Sequence, residues 1–284
     1  MAGAVRLARR DGDSFTGSVT IGATEPVLSG HFPGFPIFPG VCLIECAHQT
    51  ALLALADRVA APHLSAIERT RFLAPVFPGD EVTAEVTPVA SGDGWSCRAT
   101  VLTTRRGETV LAAQLKLRYG PLDPAPSGET APAGSGELFG LDDLKAILPH
   151  REPMLLIDSV EERDLIGVKA VTLGEPCFAG LHPDDDHSYP EVLMVESWCQ
   201  AAGVLAVHDR PNPDVMTGRV TLFGSISDVT FHAPVRPGDV MRHRVSPLKI
   251  MSDAAVFEGH AFVDRRPVMT VGQIVIALRP ASEV

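Results

Sequence analysis

Two long apolar runs mark the chain, at about 41–58 ("VCLIECAHQT…") and 192–208 ("VLMVESWCQAAGVLAVH"). Each is apolar on most faces, which predicts a helix buried on nearly every side. Strand-length segments follow both runs: 65–73, 80–90, 95–105 and 108–119 after the first, then 219–231, 238–250, 253–264 and 268–279 after the second. Pro-Gly-Asp at 78–80 and again at 237–239 places a turn before a departing strand. "SFTGSVTI" reads as a strand leading to the first helix. "LDDLKAIL" suits a short helix with Asp142 and Asp143 near its start, and "PMLLIDSV" after it reads as a strand. The simplest architecture is α+β, an antiparallel sheet wrapped around one long central helix in each half.

The halves carry the same text. "GHFPGFPIFPGVCLIECAHQ" at 30–49 answers "GLHPDDDHSYPEVLMVESWCQ" at 180–200, and "FLAPVFPGDEV" at 72–82 answers "FHAPVRPGDV" at 231–240. His31 and His182, Pro39 and Pro190, Glu45 and Glu196, and Gln49 and Gln200 are each 151 positions apart. Pro75 and Pro234, Gly79 and Gly238, and Asp80 and Asp239 are 159 apart, so eight residues are inserted near "HDRPNPDVMTGRV". Two offsets, each held by several residues, predict internal duplication with a pseudo-twofold axis. Residues 1–120 form the first repeat and 137–284 the second. Residues 121–136, within the Pro/Gly/Ser-rich "GPLDPAPSGETAPAGSG", read as a linker. The second repeat has an extra lead-in at 137–163, which the first begins too late to contain.

Composition narrows the function. With 45% apolar and 21% charged residues the chain is neither disordered nor membrane-like. It has no apolar run long enough to span a bilayer, and its start does not read as a secretory signal. Thirty-five acidic against 24 basic residues give a net charge of −11, which argues against nucleic-acid binding. Arg69, Arg71, Arg105 and Arg106 could still form a local basic patch. Cys42, Cys46, Cys97, Cys177 and Cys199 lack metal or disulfide spacing and read as reduced and internal, as in the cytoplasm.

The chemistry concentrates at the first helix and its approach. Prolines 33, 36 and 39 make "GHFPGFPIFPG" a stiff loop suited to fixing His31, and Pro39-Gly40 opens the helix. Glu45 and Gln49 then lie one turn apart on one face, as do Glu196 and Gln200. A carboxylate in so apolar a run needs a task or a partner; it could equally serve as a structural link between packed helices. Burial is expected to raise its pKa and make it a proton donor near neutrality. A neutral imidazole could abstract a proton, and N–H groups at the helix start could hold a carbonyl oxygen. These groups suit addition or elimination of water beside an activated carbonyl; the spacing serves hydrolysis equally well.

"GHFPGFPIFPGVCLIECAHQ" resembles the active-site segment of the hotdog-fold beta-hydroxyacyl-acyl-carrier-protein dehydratases, and "FLAPVFPGDEV" a later strand entry of that family. In the second half "LPHREPMLLIDSV" resembles its N-terminal region and "VLMVESWCQAAGVL" its central helix. The resemblance implies a double hotdog that dehydrates 3-hydroxyacyl thioesters to trans-2-enoyl thioesters, with no metal or nucleotide cofactor. The handle would be an acyl-carrier protein or coenzyme A, with no nucleic-acid or membrane partner, and fused repeats leave room for a homodimer of double units. Family sites pair a histidine from one hotdog with an acid from its neighbour, which implies His31 with Glu196 and His182 with Glu45. The resemblance further implies that His31 is the base and Glu196 the acid, with Gly40 N–H on the carbonyl, Gln200 orienting Glu196 and Gln49 in the matching place beside Glu45. Around His182 the motif is eroded: Asp184 and Asp185 replace a proline and a glycine, and Glu191 stands where Gly40 does, so that pair reads as altered or relict. Phe32, Phe35 and Phe38 are candidate tunnel walls. A hotdog thioesterase, an enoyl isomerase and a non-catalytic acyl-carrier-binding subunit are the competing readings.

Overall fold

The computed structural model describes residues 4–181, 187–211, 213–217 and 219–281. The first half holds β1 (Arg6–Asp11), β2 (Ser14–Thr20), α1 (Pro26–Gly30), α2 (Gly40–Leu55), β3 (Leu64–Phe72), β4 (Glu81–Ser91), β5 (Gly94–Arg105) and β6 (Glu108–Tyr119). The second holds β7 (Glu137–Phe139), α3 (Leu141–Ile147), β8 (Ser159–Glu161), β9 (Ile166–Ala170), α4 (Glu191–Val207), β10 (Arg219–Phe231), β11 (Val240–Ile250), β12 (Ala254–Val263) and β13 (Arg266–Pro280). Among the described residues these strands form one sheet in the order β1-β2-β4-β5-β6-β3-β10-β13-β12-β11-β9-β8-β7. Reading outward from the centre, each strand of one half meets its counterpart in the other; β7 alone has none. The halves join by antiparallel pairing of β3 with β10, in the register Thr70↔Ile226 and Ile67↔Val229.

The two long helices carry the core. Every residue of α4 from Val192 to Val204 is buried, and so is α2 from Val41 to Ala47. This all-round burial accounts for the lack of a polar face in either run. The repeat is also visible in its turns. Gly79 and Gly238 take φ of 92° and 99°, the left-handed region that glycine enters without strain. Their N–H groups donate to Ile21 O and Val171 O at 2.7 and 2.8 Å. Asp80 and Asp239 each accept from the N–H three residues earlier, Phe77 N at 2.9 Å and Arg236 N at 2.8 Å.

One expectation needs correction and a second holds in part. "PMLLIDSV" is not a strand: β8 begins only at Ser159, and Met154 to Ile157 form buried coil. Their backbone groups bond to α4 side chains instead, Leu156 N donating to Gln200 Oε1 at 2.8 Å while Met154 O and Leu156 O accept from Gln200 and Ser197. The first half holds part of such a lead-in: β1 and β2 pair as β8 and β9 do, and Val5 N reaches Gln49 Oε1 as Leu156 N reaches Gln200. What it lacks is α3 and β7. Residues 121–136 contain no helix or strand but are strapped down. Asp123 pairs with Arg118 and its carbonyl meets His232, while Glu129 pairs with Arg244.

Candidate functional site

The helix positions and the seam between halves bring His31 and Glu196 together. His31 follows α1 at the entry to the proline loop. That loop is pinned at both ends: Ile37 N donates to His31 O at 3.1 Å, and Phe38 N to Val76 O at 2.8 Å. Inside it, His31 Nδ1 lies 3.0 Å from Ile37 O. A carbonyl only accepts, so Nδ1 carries the hydrogen and Nε2 holds the free lone pair. Phe32 is buried and stacks on the imidazole with centroids 4.1 Å apart. Burial and the neighbouring His150 lower the His31 pKa to about 4, against the opposing pull of Glu196 and the Ile37 carbonyl. The ring is therefore neutral over the physiological range.

Glu196 lies inside α4 with no exposed surface. Gln200, one turn on, donates Nε2 to Glu196 Oε1 at 3.0 Å and is itself fixed by Met154 O and Leu156 N. His150 Nε2 stands 3.5 Å from the same Oε1. Glu196 Oε2 is buried with no hydrogen-bond partner. Burial alone pushes this carboxyl up, but the hydrogen bond and electrostatic pull of His150, a smaller pull from the His31 ring and the Gln200 amide outweigh it. The result lies below the ordinary carboxylate value, reversing the expectation of a raised pKa. Desolvation is opposed here by two donors, His150 and Gln200, converging on one group.

His150 went unnoticed in the sequence because it has no matching position in the first repeat. It follows α3 on coil that docks against the His31 loop: Arg151 N donates to Gly30 O at 3.0 Å, and a Cβ on Gly30 would collide with Arg151 O. The His31 and His150 rings lie 5.3 Å apart, nearly edge to face. One ligand-capable atom from each of His31, His150 and Glu196 falls within 4.8 Å of the other two, the one such grouping among the described residues. A divalent ion prefers this donor set, although its bonds of about 2 Å would require the three to close up.

A cavity of about 1050 Å³ opens on this group, lined by His31, His150, Gly40 and Gln200 and, further along, by Phe72 and Phe223. It follows the C-terminal half of α4 to His208–Pro211, the start of the eight-residue insertion. Gly40 is the first residue of α2, where N–H groups have no intrahelical acceptor. Of the three loop phenylalanines only Phe38 lines the cavity; Phe32 backs His31, and Phe35 packs against Phe77.

The other candidates lie elsewhere. Glu45 is buried on α2 and accepts from Gln49 Nε2 at 2.9 Å, repeating the Glu196–Gln200 pair. His182 and Asp184 to Asp186 lie outside the described residues. Glu191, in the place of Gly40, is half-buried, and desolvation raises its pKa. His48 holds the place of cavity-lining Cys199 and is hydrogen-bonded to Tyr119 Oη at 2.9 Å. Polar side chains thus occupy the positions that bound the first cavity. The basic patch is also recomposed: Arg69 and Arg71 join Arg98 and Lys116 around a shallow cleft on the sheet's outer face, whereas Arg105 pairs with Asp80. All five cysteines are free thiols, and no described helix is long and apolar enough to cross a membrane.

Comparison with known proteins places this geometry in context. Residues 8–103 match the family model described as ApeI dehydratase, and residues 148–272 match the FabA-like domain. The 3-hydroxyacyl-[acyl-carrier-protein] dehydratase FabZ of Campylobacter curvus is 40% identical over 129 residues, covering 43% of this chain and 86% of that protein. FabZ of Solibacter usitatus is 36% identical over 130 residues, covering 45% and 78%. Among solved structures, the dehydratase domain of RzxB from Pseudomonas fluorescens superposes with a TM-score of 0.67 at 14% identity, over 95% of this chain and 97% of that one. The PpsC dehydratase domain from Mycobacterium tuberculosis, in complex with C12:1-CoA, gives 0.63 at 15% identity, over 98% of both. Those two likenesses span both halves and share the double-hotdog fold.

Proposed function

Because this chain belongs to the hotdog 3-hydroxyacyl-[acyl-carrier-protein] dehydratase family, we propose that His31 and Glu196 form its working pair, across the seam between repeats 1–120 and 137–284. The reaction is dehydration of a 3-hydroxyacyl thioester. His31 Nε2 takes the proton from the α carbon while Glu196, reactive in its protonated form even though His150 holds its pKa below the ordinary carboxylate value, delivers one to the β hydroxyl, which leaves as water. The N–H of Gly40 holds the thioester carbonyl as charge develops on it, and Gln200 fixes the carboxyl rotamer. The observation that carries this reading is Glu196 Oε2, a buried, unpartnered oxygen beside a neutral imidazole and a large cavity. A substrate hydroxyl supplies the partner it lacks.

The acyl chain would run along α4 toward Phe72, Phe223 and the insertion. An acyl-carrier protein is the favoured handle, since the curated relatives are named for it. A cytoplasmic location fits the five free thiols. Pairing of double units through sheet edges has little to support it: β1 is exposed and carries Arg6, Arg9 and Arg10, and β7 is three residues long. Incubation with 3-hydroxybutyryl thioesters on both handles, followed by mass analysis, tests the function. Loss of the mass of one water supports dehydration; release of free thiol with intact hydroxy acid would indicate a thioesterase instead.

A further inference from the structure

The proposed reaction leaves a debt at the end of each turnover, and His150 is placed to settle it. After water departs, His31 carries the α proton and Glu196 is a carboxylate. The next turnover needs the reverse. Glu196 itself has no exposed surface. The thiols nearest its charge, Cys42 and Cys199, are pushed far up by burial and keep their hydrogens. The Arg151 guanidinium is turned away toward the Leu148 and His150 carbonyls. His150 stands beside both catalytic groups, its Nε2 3.5 Å from Glu196 Oε1 and its ring centre 5.3 Å from that of His31. Its other nitrogen, Nδ1, is buried without a partner, although a structural imidazole would ordinarily satisfy both.

We propose that His150 is a proton-return residue, carrying the proton from His31 back to Glu196 between turnovers. This rests on the dehydratase reading above. The transfer balances in two moves. The N–H of protonated His31 gives its proton to the unprotonated ring nitrogen of His150, leaving His31 neutral and His150 cationic. His150 then releases a proton to the Glu196 carboxylate, leaving His150 neutral and Glu196 a carboxylic acid. No oxidant, metal or further reactant is needed.

Two rates separate this role from mere packing. Glutamine at 150 can still donate an amide hydrogen to Glu196 but accepts no proton. H150Q should therefore complete a first turnover, measured with enzyme in excess over a 3-hydroxyacyl thioester, within about threefold of the unaltered protein. Its steady-state kcat should fall by about tenfold or more, within the usual range for loss of a proton-transferring group. H150A supplemented with imidazole should recover steady-state rate in proportion to the imidazole added. Equal losses in both rates without imidazole rescue, or no loss in either, would overturn the proposal. If the unaltered protein forms no enoyl product in a single turnover, the dehydratase reading fails and the relay fails with it.

Discussion

His31 and Glu196 show how far a residue's surroundings shift its chemistry. With His31 held at about 4, the acidic limb of kcat/KM should fall near pH 4 rather than near 6.5, as the base is lost to protonation; a pH–rate profile measures this. Substituting either member, as H31N or E196Q, should reduce kcat by roughly 10²–10⁴-fold without unfolding the protein. Stability carries the same signature. Between pH 6.5 and about 4 the unfolded chain binds a proton at His31 that the folded chain refuses, so stability declines as pH drops through that window. His243, fully buried against Ser197 and held at about 3, extends the loss further. Each pKa unit is worth about 1.4 kcal/mol, so melting temperature should decline measurably from pH 7 to 4.5. At this scale the motifs singled out two side chains that the structure brings close together. The sequence misjudged the Glu196 pKa because His150 and His31, both distant in sequence, act on it alongside the nearby Gln200 amide, and it passed over His150 because no repeat partner drew attention to it.

Elements determine whether those side chains meet. The long helices and most strands were legible, since all-round apolar runs and Pro-Gly-Asp turns are local signals. The coil at Met154–Ile157 was not, because its strand-like text yields to Gln200 and Ser197, which take its backbone hydrogen bonds. That coil is attached to the His31 loop at Gly30, where the chains approach too closely for any side chain. G30A should therefore separate His150 and His31 and lower both activity and melting temperature, while G34A, at a residue with open space around it but a φ of 78°, should cost about 1 kcal/mol of stability. Paired melting curves and kcat values for the two variants distinguish the contact from the backbone strain.

For the whole molecule the question is how many sites one chain offers. Duplication was plain in the spacing, and so was the erosion around His182. That Glu191 and a His48–Tyr119 pair stand at and beside the positions matching the first cavity's lining required three dimensions, because the three residues come from α4, α2 and β6. One working site per chain is the expected outcome: calorimetric titration with an enoyl thioester should saturate at one equivalent, and H182A should change kcat by less than about threefold, far below a catalytic deletion. Saturation at two equivalents would restore the second pair to consideration.

The β3–β10 seam has a further consequence. Where two separate polypeptides share a site, dilution pulls the partners apart and turnover per molecule declines. Here the backbone tethers them, so specific activity should hold constant from micromolar stocks down to the assay's detection limit.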